Sequence, residues 1–512
     1  MKTSEIIILG TIVAYLALMV IIGVVFSKKN ENVGDFYLGG RKLGPIVTAM
    51  SAEASDMSSW LLMGLPGVAY LTGCAEAGWT AIGLAIGTYL NWLIVAKRLR
   101  VYSQRCGAIT IPDFFSKRYN DKKKVLMGVS ALIILIFFVP YTASGFAACG
   151  KLFNSLFGWD YHFAMIISAV IIISYTCTGG FLAASTTDLI QSIVMTVALI
   201  SIVIFGVNSV GGLNIVVENA QSMVGYLSLT SIHDPVKNGS NSYNGLTIAS
   251  TLAWGLGYFG MPHILLRFMA IKDKNKIRIS RRIASVWVVI SMGVAIFIGI
   301  VGNTLSKSAE IETLDGSNSE KVIIKLAQYM SDHYVGLAVV AGLVFAGILA
   351  CTMSTSDSQL LAASSSMSEN ILKGVFNMKL SDKQSMLVAR VVLVIIAVLS
   401  VILAWDSDSS VFRVVSFAWA GFGATFGPVM LTALFWRRSN RFGAIAGMIV
   451  GAVMVFVWKF VIAPNGGVFA IYELLPAFLC AFAAIIIVSL VTGAPENEVT
   501  YDYDAVKVSV NK

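Results

Sequence analysis

Charge is scarce in this chain. Acidic and basic residues make up 13% of its 512 residues, against about 25% in a soluble globular domain. Histidine is scarcer still: His162, His233, His263 and His333 are scattered without HxxxH spacing, so a metal site is not expected. The six cysteines form no CxxC pair and most lie in apolar segments. They read as small packing residues, not as a disulfide or metal framework. Neither HExxH nor GxSxG occurs, so an enzyme is not expected.

What fills the chain is hydrocarbon. Hydrophobic residues account for 57% of it, and the runs at 6–27, 392–405 and 474–493 carry no charge. A helix needs roughly 20 apolar residues to cross a bilayer. Lipid cannot satisfy backbone polar groups, so long continuous apolar runs span as helices and not as barrel strands. The expected fold is an all-α polytopic membrane protein with thirteen transmembrane helices and no separate soluble domain. The first run is too long for a signal-peptide core and reads as a retained helix.

Basic residues set the orientation, because they collect on the cytoplasmic side. Nine lie between Lys97 and Lys124 and seven between Arg267 and Arg282. Others are Lys28, Lys29, Arg41, Lys42, Lys373 to Arg390, Arg437 to Arg441, Lys507 and Lys512. With the amino terminus outside and the carboxyl terminus cytoplasmic, all these connections face inward. The net charge of +9 is then topology and not nucleic-acid binding. The outer loops "SLTSIHDPVKNGSNSYNG" and "SKSAEIETLDGSNSEK" are polar and turn-rich, as solvated connections are. "KVIIKLAQYMSDHY" reads as a short surface helix at the interface.

Two spans are interrupted. "SAEASDMSSWLLMGLPG" (51–67) places Glu53, Asp56, four serines, two glycines and a proline inside the second span. The seventh is broken by Gly255, Gly257, Gly260 and Pro262. The two lie five spans apart, and five is odd, so the second copy of a five-helix unit runs upside down. Paired breaks of this kind mark a transporter's binding site. The division expected is an extra first helix and loop (1–44), a first repeat (45–209), an inverted second repeat (244–436), two added helices (437–492) and a cytoplasmic tail (493–512).

A break at mid-membrane survives where it lines a cavity whose ligand takes up the freed carbonyls and amides. Asp56 beside such a break is a functional candidate, since a charge at this depth is costly. A kinked helix whose acids pair with buried bases is the competing reading, but span interiors offer almost no basic partner. In the ninth span "LACTMSTSDSQLLAASSSMS" sets Ser354, Thr355 and Ser358 near one face, with Asp357 adjacent. Taken alone, such hydroxyls usually bond to their own helix. Beside a broken helix they suit a hard cation, which takes oxygen ligands.

The motifs "YLGGRKLGP" (37–45), "SAEASDMSSWLLMGLPG" (51–67), "TGGFLAASTTDLIQ" (178–191), "WGLGYFGMPHILLRFMA" (254–270) and "SFAWAGFGATFGP" (416–428) together resemble the sodium/solute symporter family over nearly the whole length. The resemblance implies the leucine-transporter-type five-plus-five inverted repeat and coupling of Na+ to uptake of L-proline. It implies Na+ ligands from the backbone carbonyls of Ala54, Met57 and Cys351 and the hydroxyls of Ser354 and Thr355. It makes Asp56 the acid that organises the site, and gives Ser58, Trp60, Tyr141, Trp254, Tyr258 and Pro262 to the substrate. Aromatic faces suit a small ring with a cationic amine.

Three departures from the family pattern matter. Ser59 stands where glycine is common, which narrows the cavity, and Met261 replaces a polar residue. Asp188 and Asp357 resemble the arrangement by which some relatives hold a second Na+. Two acids that meet in a water-poor region repel unless a cation or proton lies between them, so Asp188, Asp357 and Ser358 are expected to form an inner cation station. The membrane is the only other partner expected, with the monomer as working unit. A symporter of another small solute (a monocarboxylate, pantothenate or a sugar) is the alternative, and a channel a more distant one.

Overall fold

The computed structural model describes residues 2–27 and 32–511. Lys28, Lys29 and Lys512, which enter the charge argument above, lie outside the described residues. Among the described residues, ten helices are long and apolar enough to cross a membrane. The labels used below are α1 (Thr3–Ser27), α2 (Pro45–Asp56), α3 (Leu65–Thr72), α4 (Cys74–Leu90), α5 (Val125–Phe157), α6 (Tyr161–Ser209), α7 (Gly245–Leu252), α8 (Pro262–Ala270), α9 (Ile277–Lys307), α10 (Ala338–Ser365), α11 (Asp382–Leu403), α12 (Val411–Phe435), α13 (Arg441–Val457), α14 (Leu474–Val491) and α15 (Asn497–Asn511).

The bundle is inverted relative to a soluble protein. Val13, Ile21, Val170, Ile204, Val286, Val391, Leu399 and Ile487 point outward, an apolar belt far larger than a soluble surface carries. Serines, threonines and carboxyls collect inside: every residue from Ala341 to Ser366 except Leu343 is buried, Ser354, Thr355 and Asp357 among them. Helix α10 is packed among α1, α2, α5 and α6, and α12 against α5, α13, α14 and the segment between α7 and α8. These two helices form the wall around which the broken segments sit.

Helix α6 is two helices joined at Gly180, whose φ of 65° and ψ of −170° only glycine adopts without strain. The joint turns the chain between Tyr175 and Asp188, so that both contribute to one buried network. Close approach explains a second pair of glycines. A Cβ at Gly87 on α4 would run into the backbone of Gly255, and one at Gly255 into Gly83 and Gly87. Helix α4 therefore lies directly on the broken segment between α7 and α8.

Three segments differ from the sequence-based expectations. The loop after α6 contains a two-stranded antiparallel hairpin, Ser231–Asp234 with Gly239–Ser242, so the chain is not wholly helical. The Asp234 carboxylate accepts the N–H groups of Lys237 (3.1 Å) and Val236 (3.0 Å), which closes the turn. Those bonds hold its carboxyl below the ordinary range. The segment read as a surface helix is a helix (Val322–His333), but Val322, Ile323, Leu326, Ala327 and Met330 are buried, and it packs against α10. Arg267, counted above with the inner loops, is inside α8 and only 1% exposed.

The ends are tied down by charge. At one end α15 lies across the connections, with Arg105–Asp502 at 2.8 Å and Arg437–Asp504 at 3.0 Å. At the other, Glu320 accepts the Val411 and Phe412 N–H groups at the start of α12, both at 3.1 Å. Its carboxylate also meets Lys151 of α5 at 3.1 Å in an ion pair that is 4% exposed on each side. An anion at a helix N-terminus fills the donors that have no partner within the helix.

Candidate functional site

Helix α2 stops at Asp56 because the next two residues leave helical geometry: Met57 sits at φ −76°, ψ 48°, and Ser58 N–H turns back to the Asp56 carbonyl at 2.8 Å. The chain resumes as a π-type turn from Trp60 to Gly64, and Pro66 lies in the first turn of α3. The break leaves polar atoms free. Ser59 Oγ and Trp60 Nε1 are buried with no hydrogen-bond partner among the described residues.

The second break is a stretch of 3-10 helix, Ala253–Phe259, followed by an extended Met261 and by Pro262 as the first residue of α8. Two side chains from elsewhere take up its backbone. Asn91 Nδ2 donates to the Tyr258 carbonyl (2.9 Å) and Trp419 Nε1 to the Trp254 carbonyl (2.8 Å). Unpartnered carbonyls at this depth cost several kcal/mol each, so these two bonds hold the break open in one geometry.

The breaks meet at Asp56. The Tyr258 hydroxyl donates to its carboxylate, and the Tyr141 hydroxyl lies 3.4 Å from its carbonyl. Asp56 is 6% exposed and has no ion-pair partner among the described residues. It also terminates a helix, where the backbone dipole is negative. An acid placed there, without a base, would favour a cation beside it.

Three of the five oxygens assigned to Na+ by resemblance are brought together at this end of α2 by hydrogen bonds of Ser354. Ser354 Oγ lies 2.7 Å from the Ala54 carbonyl and 3.2 Å from the Cys351 carbonyl. Thr355 Oγ1, the next residue on α10, is buried and unpartnered. Met57 is at the break itself. Small hard cations take such carbonyl and hydroxyl oxygens.

Above the break the residues assigned to the substrate form an aromatic layer. Trp60 and Trp254 have ring centroids 5.7 Å apart, and Phe412 lies 6.1 Å and 5.5 Å from them. Tyr472 stacks on Trp254 at 5.2 Å, and Tyr258 meets Trp419 edge-on. Trp254, Phe412 and Tyr472 border a cavity of about 940 Å³ that also reaches Glu76, Glu320, Asp408 and Arg413. Phe412, Trp419 and Tyr472 were not singled out from sequence; "SFAWAGFGATFGP" contains Trp419 and was the available signal.

The third cluster brings Asp188, Asp357 and Ser358 together, and with them a residue the sequence reading left out. Arg267 donates to Asp188 Oδ2 (3.1 Å), to Ser358 Oγ (2.5 Å), to Ser51 Oγ (3.0 Å) and to the His263 carbonyl (3.0 Å). Ser51 donates in turn to Asp188 (2.6 Å). Asp357 accepts from the Tyr175 hydroxyl (2.6 Å) and from Ser358 (3.0 Å). The two acids are thus bridged through Ser358 and a guanidinium. Its signal was a single arginine in "HILLRFMA", set within one turn of apolar residues on both sides.

With this geometry in place, relatives can be compared. The chain matches the model of the sodium:solute symporter family over residues 36–451. It is 43% identical over 500 residues to a sodium/proline symporter of Haemophilus influenzae, with 96% of each chain covered. It is 40% identical over 491 residues to the high-affinity proline transporter of Bacillus subtilis, with 95% of this chain and 98% of that one covered. Its fold is similar to the outward-open structure of a Na+-coupled sialic acid symporter, at TM-score 0.78, 19% identity and 96% and 99% coverage.

Proposed function

The chain belongs to the sodium:solute symporter family, and from that premise we propose that it couples inward Na+ movement to uptake of L-proline by alternating access. The observation that carries the reading is the meeting of two broken helices at an acid without a base. A site with that construction binds a cation in one arrangement and loses it when the helices part, which a secondary transporter needs. Relatives named for sodium and proline, about 40% identical over nearly the full length, support the choice of ion and solute.

Thirteen spans in a five-plus-five inverted repeat remain the best reading of the fold. Besides the ten long apolar helices there are two shorter ones, Trp60–Thr72 and Tyr161–Cys177, and the broken segment from α7 to α8. A break or a joint shortens each of the three, and adding them gives the thirteen. We place the amino terminus outside and the carboxyl terminus in the cytoplasm, on the charge distribution, and take the monomer as the working unit.

In this scheme Na+ is held by the Ala54, Met57 and Cys351 carbonyls and by the hydroxyls of Ser354 and Thr355. Asp56 supplies the field and is oriented by Tyr258. Proline lies against Trp60, Tyr141, Trp254 and Tyr258, with its carboxylate near the amides of Ser58 and Ser59 and the start of α8 at Pro262. Helix N-termini offer unpartnered N–H groups to a carboxylate. Asp188, Asp357 and Ser358 serve as a release relay, in which Arg267 stands where a second cation would otherwise be needed.

The test is uptake of radiolabelled L-proline into proteoliposomes with and without an inward Na+ gradient. Saturable accumulation that requires the gradient is expected. Uptake indifferent to Na+, or Na+-driven uptake of another solute with none of proline, would overturn the reading.

A further inference from the structure

A groove on the membrane-facing side of the molecule lies outside the transport site. It runs between the second half of α6 and the first half of α9, encloses about 460 Å³, and has almost wholly apolar walls that include Leu199, Ile200, Val286, Ile290 and Val294. Its polar side chains are already satisfied: Trp287 Nε1 donates to Thr196 Oγ1 (2.9 Å), and Ser291 bonds within its own helix. An occupant therefore finds no hydrogen-bond partner along the length of the groove.

The mouth is different. Arg282 lines it, and Arg278, four residues earlier on α9, shares its face of the helix. Both are exposed, and neither has a hydrogen-bond or ion-pair partner among the described residues. From Arg282 to Val294 is twelve residues, about 18 Å of helix. One leaflet contributes about 15 Å, half of the roughly 30 Å hydrocarbon core. The groove is one leaflet deep, apolar throughout, and cationic at the headgroup end.

We infer that this groove is a binding site for one anionic phospholipid, with an acyl chain between α6 and α9 and the phosphate on Arg282 and Arg278. Basic residues at the edge of a cleft between membrane helices attract anionic headgroups. One wall of the groove is formed in part by Met50, which belongs to α2, the helix that ends at Asp56. The lipid therefore touches an element of the broken helix and biases its movement. That the leaflet is the cytoplasmic one rests on the orientation proposed above; the site itself does not.

The full-length protein, extracted from vesicles of phosphatidylglycerol and phosphatidylcholine in equal parts, would be examined by native mass spectrometry. One retained phospholipid per chain is expected, with phosphatidylglycerol favoured about fivefold or more, the factor one arginine near an anionic surface supplies. Arg278→Gln with Arg282→Gln should remove the preference, Arg282→Lys should keep most of it, and Ile290→Trp, which fills the groove, should remove retention. No retained lipid, retention without headgroup preference, or retention unaffected by Ile290→Trp would overturn the inference. So would a dimer that Ile290→Trp dissociates, because a second copy would then be the occupant. Labelling of Arg282→Cys from the outside only would fail the proposed orientation while leaving the retention result to decide the site.

Discussion

Asp56 and Asp188 are both buried carboxylates facing hydroxyls, and they are held in opposite ways. Asp188 has a guanidinium at 3.1 Å and a serine that bonds acid and arginine together. Asp56 has a tyrosine hydroxyl and no base. The first is an ion pair whose base the chain itself supplies, through one carboxylate oxygen. The second has no ion-pair partner among the described residues, and in the proposed function a transported cation completes it.

Breaking the Asp188 ion pair should have the largest effect, and on stability. Arg267→Met leaves Asp188 buried and unpaired, which costs about 3–5 kcal/mol in such cases. Thermal unfolding in detergent should fall sharply for Arg267→Met and recover much of the loss in the double variant with Asp188→Asn. An equal loss in the single and double variants would mean that the arginine acts through packing on Phe181 instead.

Asp56→Asn should do the reverse. It keeps the shape and the hydrogen bond from Tyr258, so unfolding should change little, while Na+-driven uptake falls about 100-fold, or about 2.7 kcal/mol. Near-normal transport at low Na+ in this variant would remove Asp56 from the coupling.

A smaller effect is expected at Thr355, the unpartnered hydroxyl next to Ser354. Thr355→Ala should raise the Na+ concentration for half-maximal uptake about tenfold, close to the value of one lost charge-assisted contact. Thr355→Ser should restore it and Thr355→Val should not. If alanine and valine both titrate like the native protein, the hydroxyl is structural.

The smallest effect sharpens the comparison from the other side. If Arg267, paired with Asp188, takes the place of a second Na+ in the inner cluster, Asp357→Ser should leave the Na+ to proline ratio at one to one. The measurement is proline accumulation against imposed Na+ and voltage gradients, since each coupled charge contributes about 2.3 kcal/mol per 100 mV. A ratio of two that falls to one in this variant would show a second coupled ion there.

Sequence made the breaks legible because their chemistry is local. Gly255, Gly257, Gly260, Pro262 and the acids of residues 51–67 sit in apolar runs where nothing else accounts for them. The partners that hold the breaks were not legible, because Asn91 and Trp419 lie more than 160 residues from the carbonyls they satisfy. Arg267 was misplaced for a similar reason: charge near the end of a hydrophobic run looks like a loop until the acid that buries it is known. The helix at 322–333 was recognised by its pattern, but what covers its apolar face is tertiary. The hairpin at 231–242 depends on one aspartate closing a turn among residues that otherwise read as loop.

The cluster at Glu320 also constrains the order in which the molecule can be built. Its carboxylate joins Lys151, made 169 residues earlier, to the start of a helix made 91 residues later. A chain inserted from its amino terminus therefore has to carry Lys151 through several further spans before the acid that neutralises it is synthesised. The acid then waits for residues 410–412 before the remaining hydrogen bonds can close. Until then the chain before residue 410 is an intermediate in which that seam is open. Closure of that seam is a late event, and it commits the two halves of the chain to each other.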